Sequence, residues 1–545
     1  MKTIKYTLVI ILAAVQLSGC KKFLDSVPYS TISAEQFYHT AADAEKAING
    51  CYSPLNENSM QGRAGGLYFH QLPVMLTAST DEAVKRFNLD NAKFGPWGIA
   101  SWSSSSEMNQ EAYFCFYAAI GRCNILLDKL DGINMPDARK EEIVAEARFL
   151  RGVYYMHLGM MYGGVPLVTN AELDVDGPRK PLQEVFLQVI ADLDFAYQHL
   201  SPRASISGRA NKWSAAGFLA RTYAFLGSSK LNSVGADLNF PLNSFDWVNS
   251  DEAYTHVKTL TDDIITSGGY KLTAKYGYLF METTKSYQQE ECLFVIESSE
   301  DPLNGNYFNS QNQFFSSGAV NTYGGGAAQQ VPLGELWTKY NANDTRRGWN
   351  LTGAYTNKSV KETVDGAVYY APIAVTDASI KTGYFYAGKF RAIDPATKKI
   401  DKKKWAGNYP MLRLAEIYLL RAEAVFYLTG DVVTATSDLV TVRQRAIPAA
   451  NLTAVNTAYK KADFVAELLD ERARELCFES LRHIDLMRFD RYQSAINSLS
   501  DGKTVSFNNQ MVPTFKLNWA SYRIWFPIPL NELVLNKNLV QNPGY

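Results

Sequence analysis

The chain has 545 residues, with 54 Lys plus Arg against 55 Asp plus Glu and a formal net charge of −1. That balance argues against binding driven by nucleic-acid phosphates, which takes a marked basic excess. Hydrophobic residues at 46% and charged residues at 20% exclude wholesale disorder.

The amino terminus reads as an export signal. Lys2 and Lys5 precede an apolar run from Tyr6 to Leu17, interrupted by Thr7 and Gln16, and Leu17-Ser18-Gly19-Cys20 follows. The run is too short to span a bilayer, which takes about 20 residues. Residues 1–19 are therefore expected to be a signal peptide. Leu-Ser-Gly-Cys resembles a bacterial lipobox, making Cys20 the expected lipidation site and first mature residue. Removing Lys2 and Lys5 would leave a formal charge of −3. The remaining cysteines, Cys51, Cys115, Cys123, Cys292 and Cys477, are odd in number and show no disulfide framework in their spacing. There is no CxxC, HExxH or close His pair, so neither a metal nor another cofactor is expected.

Spacings of three and four predict helices over 136–162, 181–200 and 211–226. Ala215, Ala216, Gly217 and Ala220 would let the last of these approach a neighbour closely. Ser250 is expected to cap a further helix ending at Gly268-Gly269, and two more are predicted over 411–428 and 462–489. Consecutive pairs resemble tetratricopeptide units without the strict 34-residue period. Residues 291–298 and 383–393 read as short strands. The predicted fold is mainly α. Tetratricopeptide-like helix pairs form a scaffold (mainly 110–270 and 409–490), and loop-rich portions with a few short strands cover about 61–109 and 276–400. Residues 20–545 are expected to form a single domain.

Four landmarks then occur in order. Cys20-Lys21-Lys22-Phe23-Leu24-Asp25 has Pro28 close behind it. Glu146-Ala147-Arg148-Phe149-Leu150-Arg151-Gly152 runs on to Tyr162-Gly163-Gly164-Val165-Pro166-Leu167. Glu471-Arg472-Ala473-Arg474-Glu475-Leu476 precedes Glu479-Ser480-Leu481-Arg482 and Asp485-Leu486-Met487-Arg488. Phe526-Pro527-Ile528-Pro529 precedes Glu532 and Gln541-Asn542-Pro543-Gly544-Tyr545. Together they resemble the SusD/RagB family of outer-membrane lipoproteins from Bacteroidetes, over essentially the whole mature chain. One departure is Glu479-Ser480, where the family commonly has Glu-Gly.

The resemblance implies a lipid-anchored protein on the outside of the outer membrane. It would capture glycan and pass it to a SusC-like TonB-dependent transporter, without enzymatic activity or cofactor. Some members take up peptides, so a peptide- or protein-binding helical-repeat lipoprotein is the alternative. Independently, Arg472, Glu475, Glu479 and Arg482 are spaced to share one helix face, where opposite charges can pair. That row is expected to organise structure rather than to catalyse.

A glycan binder needs exposed rings, because the C–H face of a sugar stacks on aromatic faces. It also needs polar partners for the hydroxyl rim. The chain has 32 Tyr, 28 Phe and 9 Trp, and the stretches 61–109 and 304–330 set such rings among Gly, Ser, Asn and Gln. Trp97, Trp102 and Tyr323 are the expected stacking rings. Asp81, Arg86 and Asn91 are the expected hydroxyl contacts. Trp213 and Trp337 are expected to be core.

Overall fold

The computed structural model describes residues 37–545, except 57–64, 86–91, 173, 299–327, 329, 355–360, 365–366, 371–372, 384, 391–406 and 502–506. Residues 1–19 and Cys20, with Arg86, Asn91 and Tyr323, lie outside the described residues.

The frame is mainly helical. Its long helices are α1 (Ala41–Tyr52), α2 (Glu107–Lys129), α3 (Asp137–Tyr162), α4 (Leu182–His199), α5 (Lys212–Leu231) and α6 (Ser250–Ser267). After an irregular middle come α7 (Leu414–Thr429), α8 (Val432–Gln444), α9 (Phe464–Leu476) and α10 (Arg482–Arg488). Each of the helices from α2 to α8 packs on the next, giving a row of antiparallel-type pairs, and α9 lies against α7 and α8. The spacing of apolar residues is why these segments are helices. In α3, Ile143, Ala147, Leu150, Tyr154, Leu158 and Met161 are all fully buried.

Caps set several boundaries. Thr40 and Asp43 form a reciprocal capping box at α1, with Asp43 N–H to Thr40 Oγ1 at 3.2 Å. Asn211 accepts from Trp213 and Ser214 N–H at the start of α5. At α6 the cap is Asn249, whose Oδ1 accepts from Asp251 and Glu252, and the expected cap Ser250 is the first helical residue.

The strands are β1 (Ala83–Lys85), β2 (Cys292–Ile296), β3 (Gln330–Pro332), β4 (Leu351–Thr352), β5 (Lys361–Val364), β6 (Ala367–Tyr370), β7 (Tyr386–Ala387) and β8 (Tyr409–Arg413). Among the described residues they form four antiparallel pairs: β1–β3, β2–β8, β4–β7 and β5–β6. The strands expected over 291–298 and 383–393 are represented by β2 and β7. Residues 409–413, expected to be partly helical, are instead β8, paired with β2 through Val295↔Pro410 and Ile296↔Tyr409. The small face of α5 receives this strand pair: a Cβ on Gly217 would meet Leu412 Cδ2 at 2.5 Å.

The helix expected over 462–489 is two helices. Phe478 and Ser480 both have φ 63°, so the chain turns left-handed between them. Lys389 Nζ accounts for this break. It donates to the carbonyls of Glu475 (2.9 Å) and Cys477 (2.8 Å), and Arg413 Nη2 donates to Glu475 at 2.7 Å. These cations occupy the carbonyls that a continuing helix would give to its own N–H groups.

Ser480 therefore sits where glycine is at ease, and its Oγ meets Tyr409 OH at 2.8 Å. Both Ser480→Ala and Ser480→Gly lose that bond, but only glycine relieves the left-handed strain. Ser480→Gly should be more stable than Ser480→Ala by about 1 kcal/mol in urea unfolding. Glycine being no better than alanine would remove this account of the break.

Candidate functional site

The third landmark is buried. Six cations (Arg346, Lys389, Arg413, Arg443, Arg445, Arg474) and six carboxylates (Glu291, Asp344, Glu467, Glu471, Glu475, Glu479) form one connected lattice, with no side chain more than 4% exposed. Arg346 donates to both oxygens of Asp344 and, through Nη1, to Glu471 and Glu475 at 2.8 Å each. Arg413 reaches Glu291, Glu475 and Glu479. Burial alone would raise the carboxyl groups of Glu471 and Glu475. The guanidinium groups around them outweigh it and hold both well below the usual range.

The expected pairing along one helix face is corrected by the structure. Arg472 pairs with Asp485 (2.7 Å) and Arg482 with Asp81, while Glu475 and Glu479 take partners from other elements. The lattice ties Glu291 just before β2 to β8, α8, α9 and the Asp344–Arg346 turn, so its role is structural.

Asp81 belongs to the same frame. Arg482 Nε and Nη2 grip its two oxygens at 2.6 Å each, Lys339 stands at 3.5 Å, and the residue is 4% exposed. Burial opposes ionisation, but Arg482 and Lys339 outweigh it and hold the carboxyl far below its ordinary value. Its acceptors are already used, so the expected hydroxyl-contact role is corrected.

Trp97 and Trp102 are also corrected. They are 0% and 1% exposed and stack on each other, with centroids 5.1 Å apart and planes 9° apart. Phe526 meets both edge-on at 5.1 and 5.6 Å. Trp102 Nε1 donates to Tyr545 OH at 2.8 Å, and Arg523 Nη1 donates to the Trp102 carbonyl at 2.8 Å. Two large rings gain more by packing under the carboxy-terminal segment than by facing water. Local composition could not reveal a lid contributed from more than 400 residues away. Trp213 and Trp337 are buried at 5% and 6% exposure.

The second and fourth landmarks clasp each other. Phe526 N–H donates to the Met161 carbonyl at 2.7 Å, and Asn542 Nδ2 donates to the carbonyls of Tyr162 (3.0 Å) and Phe526 (2.7 Å). Arg179 donates to the carbonyls of Gly164 and Tyr162 and to Asn542 Oδ1. Gly163, at φ 79°, leaves no room for a Cβ, which would fall 2.0 Å from Asn243 Oδ1.

An open polar surface lies elsewhere. Two adjoining hollows of about 580 and 550 Å³ flank the loop between α4 and α5 and share Ile206, Ser207, Gly208, Arg209, Phe294, Val295 and Glu297 as walls. Ser207 Oγ donates to Glu297 Oε1 at 2.5 Å. Gly208, at φ 77°, makes this approach possible, since a Cβ there would lie 2.9 Å from Glu297 Cγ. Arg209 is anchored on Glu146 (3.0 Å) and Asn49 (2.7 Å), and Tyr52 OH donates to Glu146 at 2.8 Å.

The half-buried ring of Tyr52 lines one hollow, and that of Tyr270 lines the other. Arg203, Lys285, Asn211, Gln289 and Asn408 supply polar groups around Tyr270. Arg203 and Lys285 are exposed and have no ion-pair partner among the described residues. Glu297 is the one carboxylate lining either hollow among the described residues. Rings beside short polar groups suit a ligand with both C–H faces and hydroxyls. The sequence signal was weak, since Pro202–Asn211 reads only as an interhelix loop. Among the described residues no group of three His, Cys, Asp or Glu could hold a metal ion, and no helix is long and apolar enough to cross a membrane.

Fold and hollows define a helical-repeat protein with a loop-built polar groove. The chain belongs to the SusD family: the family model of that description matches residues 270–545, and a second, described as "Starch-binding associating with outer membrane", matches 22–224. It is similar to SusD-like protein P2 of Formosa agariphila, 26% identical over 567 residues that cover 99% of this chain and 100% of the relative. A SusD homolog from Bacteroides thetaiotaomicron has the same fold, with TM-score 0.73, 20% identity and coverage of 94% of this chain and 98% of that one. Surface glycan-binding protein A from Bacteroides thetaiotaomicron, in complex with laminarihexaose, superimposes with TM-score 0.67, 19% identity and coverage of 92% and 99%.

Proposed function

We propose that this chain is a glycan-binding lipoprotein of the outer membrane, held by lipid on Cys20, facing the exterior and delivering glycan to a SusC-like TonB-dependent transporter. The observation that carries the reading is the match of residues 22–224 to a family described as starch-binding and associated with the outer membrane. The likeness to a glycan-binding protein complexed with laminarihexaose supports it. Binding rather than cleavage is the activity that the starch-binding family description and the likeness to a glycan-binding protein support. Two acyl chains on Cys20 would make anchoring stable, at about 0.8 kcal/mol per buried CH₂.

The groove beside Tyr52 and Tyr270 is the glycan contact surface favoured among the described residues. Tyr323, Arg86 and Asn91, outside the described residues, stay among the proposed contacts. In native gels containing starch or laminarin, migration is expected to slow in at least one. Tyr270→Ala combined with Arg203→Ala should weaken binding about tenfold, by loss of one stacking face and one charged donor. Unchanged affinity in that variant would move the site out of the groove. No retardation with either polymer, and no hit on a glycan array, would end the glycan reading.

A further inference from the structure

The hollow around Tyr270 carries a charge imbalance. Among the described residues its walls hold three cations, Arg203, Arg209 and Lys285, against one carboxylate, Glu297. Arg209 is spent inside the fold on Glu146 and Asn49. Glu297 is engaged by its own wall, where Ser207 Oγ donates to Oε1 at 2.5 Å. Glu290, next to the lining residue Gln289, pairs with Lys271 at 3.5 Å. Arg203 and Lys285 are exposed and meet no carboxylate among the described residues. They come from separate elements, the loop between α4 and α5 and the Glu282–Tyr287 turn, yet border one space of about 580 Å³.

The end of α6 places Arg203 beside the ring. Gly269, at φ 71°, turns the chain after the helix, and a Cβ there would lie 3.8 Å from Arg203 Nη2. The guanidinium thus lies against the backbone that leads into Tyr270. Asn211 Nδ2 donates to Tyr270 OH at 3.4 Å, while Asn211 Oδ1 caps α5. The phenol accepts that bond and keeps its own hydrogen for a ligand. A half-buried ring, a guanidinium, an ammonium and a phenol O–H therefore surround the same hollow. A guanidinium offers two parallel N–H groups to two oxygens of a carboxylate or sulfate, and an ammonium adds a point charge. Neutral hydroxyls call for neither positive charge.

We propose that this hollow selects sugars carrying an anionic group, a carboxylate or a sulfate ester, with Arg203 and Lys285 holding the anion and Tyr270 under the C–H face of the ring. The inference rests on the reading of the groove as the glycan contact surface and adds charge as its selection rule. Both cations stand at an open mouth, so the selection is screened by salt.

Two polymer pairs separate charge from backbone: laminarin sulfate against laminarin, and polygalacturonate against its methyl ester. Titration calorimetry on the full chain in low salt should show at least one charged polymer bound about tenfold tighter than its uncharged counterpart. A preference confined to polygalacturonate assigns the carboxylate, and one confined to laminarin sulfate assigns the ester. In about 1 M salt, where the Debye length is ~3 Å, the preference should shrink severalfold. In the Arg203→Gln/Lys285→Gln protein the ratio within each pair should fall to near one. Both side chains are exposed, and the salt series on the wild type gives a reading that needs no variant. A wild-type ratio near one, or a preference that survives the double substitution, overturns the anionic site and leaves the glycan reading standing. Binding of none of the four polymers overturns both.

Discussion

Arg346→Met should destabilise the protein by about 3–5 kcal/mol. Arg346 is 0% exposed and holds Asp344, Glu471 and Glu475 together. Without it the lattice has six carboxylates against five cations, and burial keeps solvent from screening the excess. Methionine fills much of the volume, so the loss is electrostatic rather than a cavity. Urea unfolding measures it directly. Lys180→Ala is the contrast: its 3.7 Å pair with Glu184 is nearly half exposed at both ends, and its loss should cost less than about 0.5 kcal/mol. If Arg346→Met unfolds at the wild-type midpoint, the lattice does not hold the irregular middle to the helices.

Glu82→Gln should change how stability depends on pH. Glu82 is 2% exposed and accepts Phe478 N–H at 3.2 Å. Burial pushes its carboxyl up to about 8; Arg482 pulls against this, and Asp81 adds to the rise. A raised carboxyl contributes stability that is complete below its unfolded value of 4.5 and is lost as pH rises through 8, because only the folded state keeps the proton. Burial lowers His157 and His483 to about 4, so they act oppositely as the unfolded chain titrates around their ordinary 6.5. Their contribution is common to both proteins and cancels in the difference. From pH 6.5 to 7.5 the unfolding free energy of the wild type should therefore fall by about 1 kcal/mol relative to that of the Glu82→Gln protein. Equal slopes would mean that Glu82 is ionised in the fold. Acid acts differently: Glu471, Glu475, Asp81 and Asp485 are all held low by arginines, so their contribution is present above about pH 4 and is lost as pH falls.

Helices were legible because their signal is local. The spacing that buries Ile143, Leu150 and Leu158 on one side of α3 is complete within the segment. Where a distant residue decides, the local signal misleads. Met411 and Leu412 read as the start of α7, yet pairing with β2 makes them part of a strand. Nothing between Cys477 and Leu481 marks a helix end, because Lys389 and Arg413 create it from other parts of the chain.

The same division runs through the candidate site. Order and type of residues along the chain were enough to establish family membership and the succession of helices, since both depend on what stands next to what. Whether an aromatic ring faces water was settled only by folding. Trp97 and Trp102 have the neighbours of a sugar-stacking pair, but the carboxy-terminal Phe526 and Tyr545 close over them. The groove arises where the 206–209 loop meets Glu297, two segments some 90 residues apart that no linear pattern connects. Burial and ion pairing are sums over neighbours in space, and only the tertiary structure supplies those neighbours.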